Sequence, residues 1–170
     1  MTFRTARPSD APILAALSIE VWMGTYVRHG VSALFAEYAL NTFTIARVTA
    51  LLADPAEHVI VSENRDGLDG FLRISRESAA PAAAGHDVEL STLYVQPRHQ
   101  GRGLGRALLE QGVQYARAIP AGSIWLTTNS DNAPAIAFYL SHGFEKIGTT
   151  QFRIGDQAYP NDVLRRMIQQ

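Results

Sequence analysis

Ahead of an amphipathic segment the chain reads Leu93-Tyr94-Val95-Gln96-Pro97-Arg98-His99-Gln100-Gly101-Arg102-Gly103-Leu104-Gly105-Arg106, a β-rich run passing through proline and three alternating glycines. A helix N-terminus leaves several backbone N–H groups without intrahelical partners and carries partial positive charge, so glycines there let an anion approach closely. Phosphate is the natural ligand. Arg98, Arg102 and Arg106 stand within the same stretch and can add charge-assisted hydrogen bonds. A Walker A loop needs a lysine followed by a hydroxyl residue, and both are missing. The G-x-G-x-x-G dinucleotide fingerprint fails because position 106 is arginine. A sharp strand-to-helix turn with no ligand also favours glycine.

Other chemistries find little support. Zero cysteines exclude disulfides, thiolate metal clusters and a catalytic thiol. His29, His58, His86, His99 and His142 include no pair at the three- or four-residue spacing of a helical metal site, so no metal is expected. No Gly-x-Ser-x-Gly elbow is present. Fifteen basic against sixteen acidic residues give a net charge of −1, which lacks the positive field of nonspecific nucleic-acid or anionic-membrane binding. The first ten residues hold Arg4, Arg7, Pro8 and Asp10, so no apolar signal core forms there, and no uncharged run approaches a bilayer crossing. The expected setting is cytoplasmic.

Several elements must position the glycine loop. Phe3 to Arg7 predicts a short strand stopped by Pro8, followed by a helix that Ser9 or Asp10 can cap and that Gly24 ends. Its apolar face holds Ile13, Leu14, Leu17, Val21 and Trp22. Ser32 starts a weaker helical stretch broken near Asn41 and Thr42, and a second piece reaches Leu52. Glu57 to Ser62 and Gly70 to Ser75 read as a hairpin around Asn64-Arg65-Asp66-Gly67. Ser78 to Gly85 has neither period nor bulk and reads as a surface connection. The second half alternates: strand from His86 to Val95, helix from Gly103 to Ala118, strand from Ser123 to Thr128, helix from Asn132 to Ser141, strand from Phe144 to Thr150. Such alternation encloses at least one parallel strand pair. Gln157 to Met167 can add a further strand.

Two motifs bring these observations together. Gln100, Gly103 and Gly105 match Gln-x-x-Gly-x-Gly, and Asn132-Ala-Pro-Ala-Ile-Ala-Phe138-Tyr139-Leu-x-x-Gly143-Phe144 follows downstream. Here the chain resembles the Gcn5-related N-acetyltransferase (GNAT) family, over roughly residues 89 to 146. The resemblance implies a single α/β domain over 1–170 with a mixed, mostly antiparallel sheet of six or seven strands, splayed at its middle, helices on both faces. It implies acetyl-CoA as acyl donor, with its pyrophosphate on the backbone amides of the loop from Gln100 through Gly101, Arg102, Gly103, Leu104, Gly105 and Arg106. The thioester end would lie along backbone groups of Leu93, Tyr94 and Val95, residues that otherwise read as a plain buried strand.

Acetyl transfer to an amine needs an unprotonated nucleophile, a polarised carbonyl and a proton for the departing thiolate. Glu89 shares a strand face with Ser91, Leu93 and Val95 and is a candidate general base, with Asp87 in reserve; it can equally be a strand-end carboxylate. Tyr139 occupies the position that, in similar sequences, places a phenol near the thioester sulfur, against the alternative of a core aromatic. Asn132 resembles the residue that contacts the pantetheine arm, and it can also serve only as a helix cap. Trp22, Tyr26, Phe35 and Tyr38 can line an acceptor pocket or simply build core. The implied reaction is direct transfer to a primary amine, of a small molecule or a peptide N-terminus; a sensor that binds acyl-CoA without turnover is the alternative. Oligomeric state stays open, although dimers through the C-terminal strands are frequent among similar proteins.

Overall fold

The computed structural model describes residues 2–27, 29–76, 78 and 87–168. Most of the alanine-rich connection, and His86 at the head of its expected strand, lie outside the described residues. The strands are β1 (Thr2–Thr5), β2 (Glu57–Glu63), β3 (Leu68–Ser75), β4 (Asp87–Val95), β5 (Ser123–Asn129), β6 (Glu145–Ile154) and β7 (Gln157–Met167). Their order is β1-β2-β3-β4-β5-β7-β6. β4 and β5 run parallel, whereas β1–β2, β5–β7 and β6–β7 are antiparallel, so the sheet is mixed and mostly antiparallel as expected. The α-helices among the described residues are α1 (Ala11–Tyr26), α2 (Ala33–Thr42), α3 (Ile45–Ala53), α4 (Leu104–Ala118) and α5 (Ala133–Ser141). None is long and apolar enough to cross a membrane.

The chain divides into two compact units. The first comprises Met1–Ile74 and Thr92–Gly112. Leu14, Leu17 and Val21, recurring at helical spacing on α1, bury against Val59 and Val61 of β2 and Phe71 of β3. Each such side chain contributes about 1.5–3 kcal/mol of transfer free energy. Arg4 ties the start of the chain down. Its guanidinium donates to both oxygens of Asp10 at 2.7 and 3.1 Å and to Glu63 at 2.8 Å. Asp10 therefore does not cap α1 through its side chain, as expected from sequence, but turns back to Arg4 and to the Arg7 N–H at 2.7 Å. Gly24 does not end α1 either: the helix continues to Tyr26 and closes with the Val27 N–H on the Met23 carbonyl. A single glycine costs a helix only about 1 kcal/mol, and the burial of Val21 and Trp22 outweighs it.

Within this unit the front of α4 packs closely on β3. A methyl group at Gly70 would stand 2.9 Å from the Tyr94 carbonyl oxygen and 3.0 Å from Leu108, and one at Gly112 would stand 2.9 Å from Leu72. At Gly70 the clash is with backbone and a side chain is excluded; at Gly112 the Leu72 side chain would have to shift. The close approach fixes the start of α4, and with it the loop that precedes it.

The second unit comprises Ser75–Ser91 and Val113–Gln170. β7 pairs along all of β5, from Ser123 with Met167 to Asn129 with Asn161. On its other edge β6 runs four residues beyond the expected strand end and closes a long hairpin at Gly155, whose φ is +55°. The ladder between β4 and β5 is short. It joins Asp87 with Ser123, Val88 with Ile124 and Glu89 with Trp125, and goes no further.

Candidate functional site

The segment between β4 and α4 is built to expose donors. After Val95 the chain makes a 3-10 turn over Pro97–His99, with the His99 N–H on the Gln96 carbonyl. Gln100 then reaches back, and its Nε2 donates to the Val95 carbonyl at 3.1 Å. Gly101 and Gly103 both adopt left-handed φ, +72° and +81°. L side chains pay about 1–2 kcal/mol for that conformation, so glycine is needed for the backbone itself. Among the described residues, no atom outside the adjacent ones lies within 4 Å of where a Cβ would stand at either position, so the loop is open there. The first helical bond of α4 runs from the Ala107 N–H to the Gly103 carbonyl. The N–H groups of Leu104, Gly105 and Arg106 therefore precede the ladder and remain available. Gly105, by contrast, lies inside α4 and has no left-handed φ.

The arginines divide. Arg98 and Arg102 are exposed and form no ion pair among the described residues, whereas Arg106 is engaged by Glu110 one turn along the helix at 2.8 Å. The strand residues are less exposed. Leu93 and Tyr94 are half-buried, Val95 is buried, and the Tyr94 ring meets Phe71 edge-on at 5.6 Å. The Val95 carbonyl already accepts from Gln100, a use of this group that the sequence does not reveal.

In the second unit, Glu89 is the last β4 residue paired with β5 and is half-buried. Its carboxylate accepts a short hydrogen bond from the Ser78 hydroxyl. Sequence reasoning missed Ser78, because nothing local links it to a residue eleven positions away. Asp87, the reserve base, accepts from Ser123. Tyr139 on α5 is 8% exposed, edge-on to Phe138 and Phe144 at 5.2 and 5.5 Å. Burial pushes the phenol well above its ordinary pKa, so it keeps its proton throughout the neutral range. Asn132 is the N-cap of α5, its side chain accepting from the Ala135 N–H at 3.3 Å. That use leaves its side-chain NH2 uncommitted by the cap.

The aromatic residues of α1 and α2 converge. Trp22 is buried and stacks on Tyr26 and Tyr38 at 5.0 and 4.8 Å, with Phe35 and the unanticipated Phe43 tilted against it. Trp22 is core; Tyr26, Phe35 and Tyr38 keep part of their surface open.

Comparison with known proteins places this geometry. Residues 28–144 match the model of the acetyltransferase (GNAT) family. The chain is 36% identical over 111 residues to an N-alpha-acetyltransferase RimI of Mycobacterium tuberculosis, a match covering 64% of this chain and 66% of that protein. It is 28% identical over 165 residues to a streptothricin acetyltransferase of Streptomyces lavendulae, covering 86% and 82%. In fold it is similar to the PaiA N-acetyltransferase of Thermoplasma acidophilum, solved in complex with coenzyme A, with a TM-score of 0.79, 15% identity and coverage of 98% and 99%. The chain thus spans just under two thirds of the length of its mycobacterial relative.

Proposed function

Because the chain belongs to the GNAT acetyltransferase family, we propose that it transfers an acetyl group from acetyl-CoA directly to a primary amine, its two units working as one catalytic domain over 1–170. The observation that carries this reading is the pair of left-handed glycines, Gly101 and Gly103, opening α4 toward free space. Unpaired amides at a helix start, with exposed Arg98 and Arg102 beside them, suit a diphosphate. Leu93 and Tyr94 offer backbone groups to the pantetheine arm, and Asn132 its side-chain amide. Gln100 contributes by holding the loop to Val95 rather than by touching the ligand.

Acetyl-CoA supplies the acetyl thioester. Glu89, oriented by Ser78, takes the proton that the attacking amine must lose, directly or through a water. As the new C–N bond forms and the C–S bond breaks, Tyr139 gives its proton to the departing thiolate. A protonated phenol on a largely buried side chain has the properties of such an acid. With no cysteine in the chain to carry an acetyl group, both substrates are bound together and transfer is direct. The relatives' names, an N-alpha-acetyltransferase and a streptothricin acetyltransferase, favour two acceptor classes: a peptide α-amine and an amine-bearing small molecule. A cytoplasmic setting belongs to the same proposal.

The test is calorimetry with acetyl-CoA followed by a thiol-release assay over α-amine peptides, polyamines and aminoglycoside-like amines. Binding together with thiol release for one class supports transfer. Binding with no release across the panel would favour a sensor, and absence of binding would overturn the assignment.

A further inference from the structure

We propose that Asp69 is a positioning residue for the phosphate-binding loop, holding it from beneath through His99; this rests on the loop having the role given above. Asp69 is 6% exposed at the start of β3, a poor place for a carboxylate unless it is held by partners. Three contacts converge on it. Its backbone carbonyl accepts from the Gln96 N–H at 2.9 Å, where β4 passes into the loop. Its Oδ2 accepts from Asn64 Nδ2 at 3.0 Å, while Asn64 Oδ1 closes the β2–β3 turn on the N–H groups of Asp66 and Gly67. The same Oδ2 lies 3.8 Å from His99 Nδ1, in the 3-10 turn just ahead of Gln100.

Two atoms of this group are buried without a hydrogen bond: Asp69 Oδ1 and His99 Nδ1. In the Nδ1–H tautomer the ring faces the Asp69 carboxylate across that 3.8 Å as a donor toward an acceptor, and this attraction holds the Pro97–His99 turn against β3. Gln100 ties the following residue to Val95, so the turn is restrained from both sides of its end. The glycines beyond it are then presented in one conformation instead of several, and the entropy of ordering the loop is met before the ligand arrives.

The experiment compares acetyl-CoA with S-acetylpantetheine, a donor lacking every phosphate, in wild type, Asp69→Asn and His99→Ala. For wild type, a KM for acetyl-CoA well below that for S-acetylpantetheine is required by the loop's phosphate role; equal values would overturn that role itself. Given the preference, Asp69→Asn should raise KM for acetyl-CoA about tenfold with kcat within twofold, and leave KM for S-acetylpantetheine unchanged. His99→Ala, on a residue nearer the surface, should shift the same ratio in the same direction and serves if Asp69→Asn fails to fold. A general structural defect would raise both KM values together. Either that pattern or an unchanged ratio would overturn the role of Asp69.

Discussion

The side chain of Gln100 donates to the carbonyl of Val95, 3.1 Å away, so the end of β4 and the start of the glycine turn are fastened by a bond that bypasses the intervening 3-10 turn. Replacing Gln100 by Ala removes one neutral hydrogen bond and leaves the carbonyl to water. The expected loss is about 0.5–1.5 kcal/mol of stability, with a KM for acetyl-CoA higher by about three- to tenfold. Urea denaturation and steady-state kinetics check both, and an unchanged KM would show that the fastening does not matter for binding.

Gly103 should be the more sensitive position. At φ +81° an alanine is strained by about 1–2 kcal/mol although nothing stands in the way of its methyl group. Gly103→Ala should lower the unfolding free energy by that amount and weaken coenzyme A binding in calorimetry by about tenfold or more. Normal affinity in this variant would sink the assignment of the loop.

Tyr139→Phe keeps the ring contacts with Phe138 and Phe144 and removes only the hydroxyl. Its stability at pH 7 should therefore stay within about 0.5 kcal/mol of wild type. In contrast, kcat should fall by about 10²–10⁴-fold if the phenol protonates the thiolate. The folded-state pKa lies above the ordinary 10.0, so the unfolded chain gives up this proton first and stability falls as pH rises past 10. The variant should lose part of that alkaline decline, with Tyr26 and Tyr38, also shifted upward by burial, accounting for much of the remainder.

Glu89→Gln should depress kcat/KM by about 10²–10⁴-fold near neutral pH, with the deficit shrinking at high pH, where the acceptor amine deprotonates unaided. Ser78→Ala should give a smaller loss with the same pH dependence, since the carboxylate remains but is less well oriented. A deficit constant across pH would exclude a base.

Arg4 and Asp10 offer a test away from the chemistry. Bonding to Arg4 holds the Asp10 carboxyl below its usual range, so its stabilisation is present above the unfolded value of 3.8 and is lost as pH falls through it toward the lower folded value. Asp10→Asn should cost about 1–3 kcal/mol at pH 7, and its deficit relative to wild type should narrow in acid. Chemical denaturation at pH 7 and pH 3 measures both.

The glycine loop and most of the element order were readable because they rest on local physics. Periodicity located α4 and β5 almost to the residue, Asn64-Arg65-Asp66-Gly67 formed the expected turn, and Asn132 caps α5. The failures arise where a side-chain bond or burial, which hydrophobic pattern does not encode, overrides the local rule. Asp10 was expected to cap α1 because its neighbours in sequence allow it, but a bidentate arginine from β1 competes more strongly than helix N–H groups. Gly24 was expected to stop a helix whose burial carries it further. Ser78, Asp69 and the engaged carbonyl of Val95 were invisible because each takes its role from a side-chain bond five to eleven positions away that neither periodicity nor capping rules encode.

β7 follows β6 in the chain yet inserts between β5 and β6. A ribosome therefore delivers β5 and β6 before the strand that joins them exists, and the flank of β5 that β7 will cover stays naked until Gln157–Met167 has emerged. A bare strand edge invites foreign chains. The nascent chain is thus open to aggregation in the interval between the emergence of β5 and that of β7, and codon choice or chaperone contact over that interval should influence yield more than the same interventions near β1.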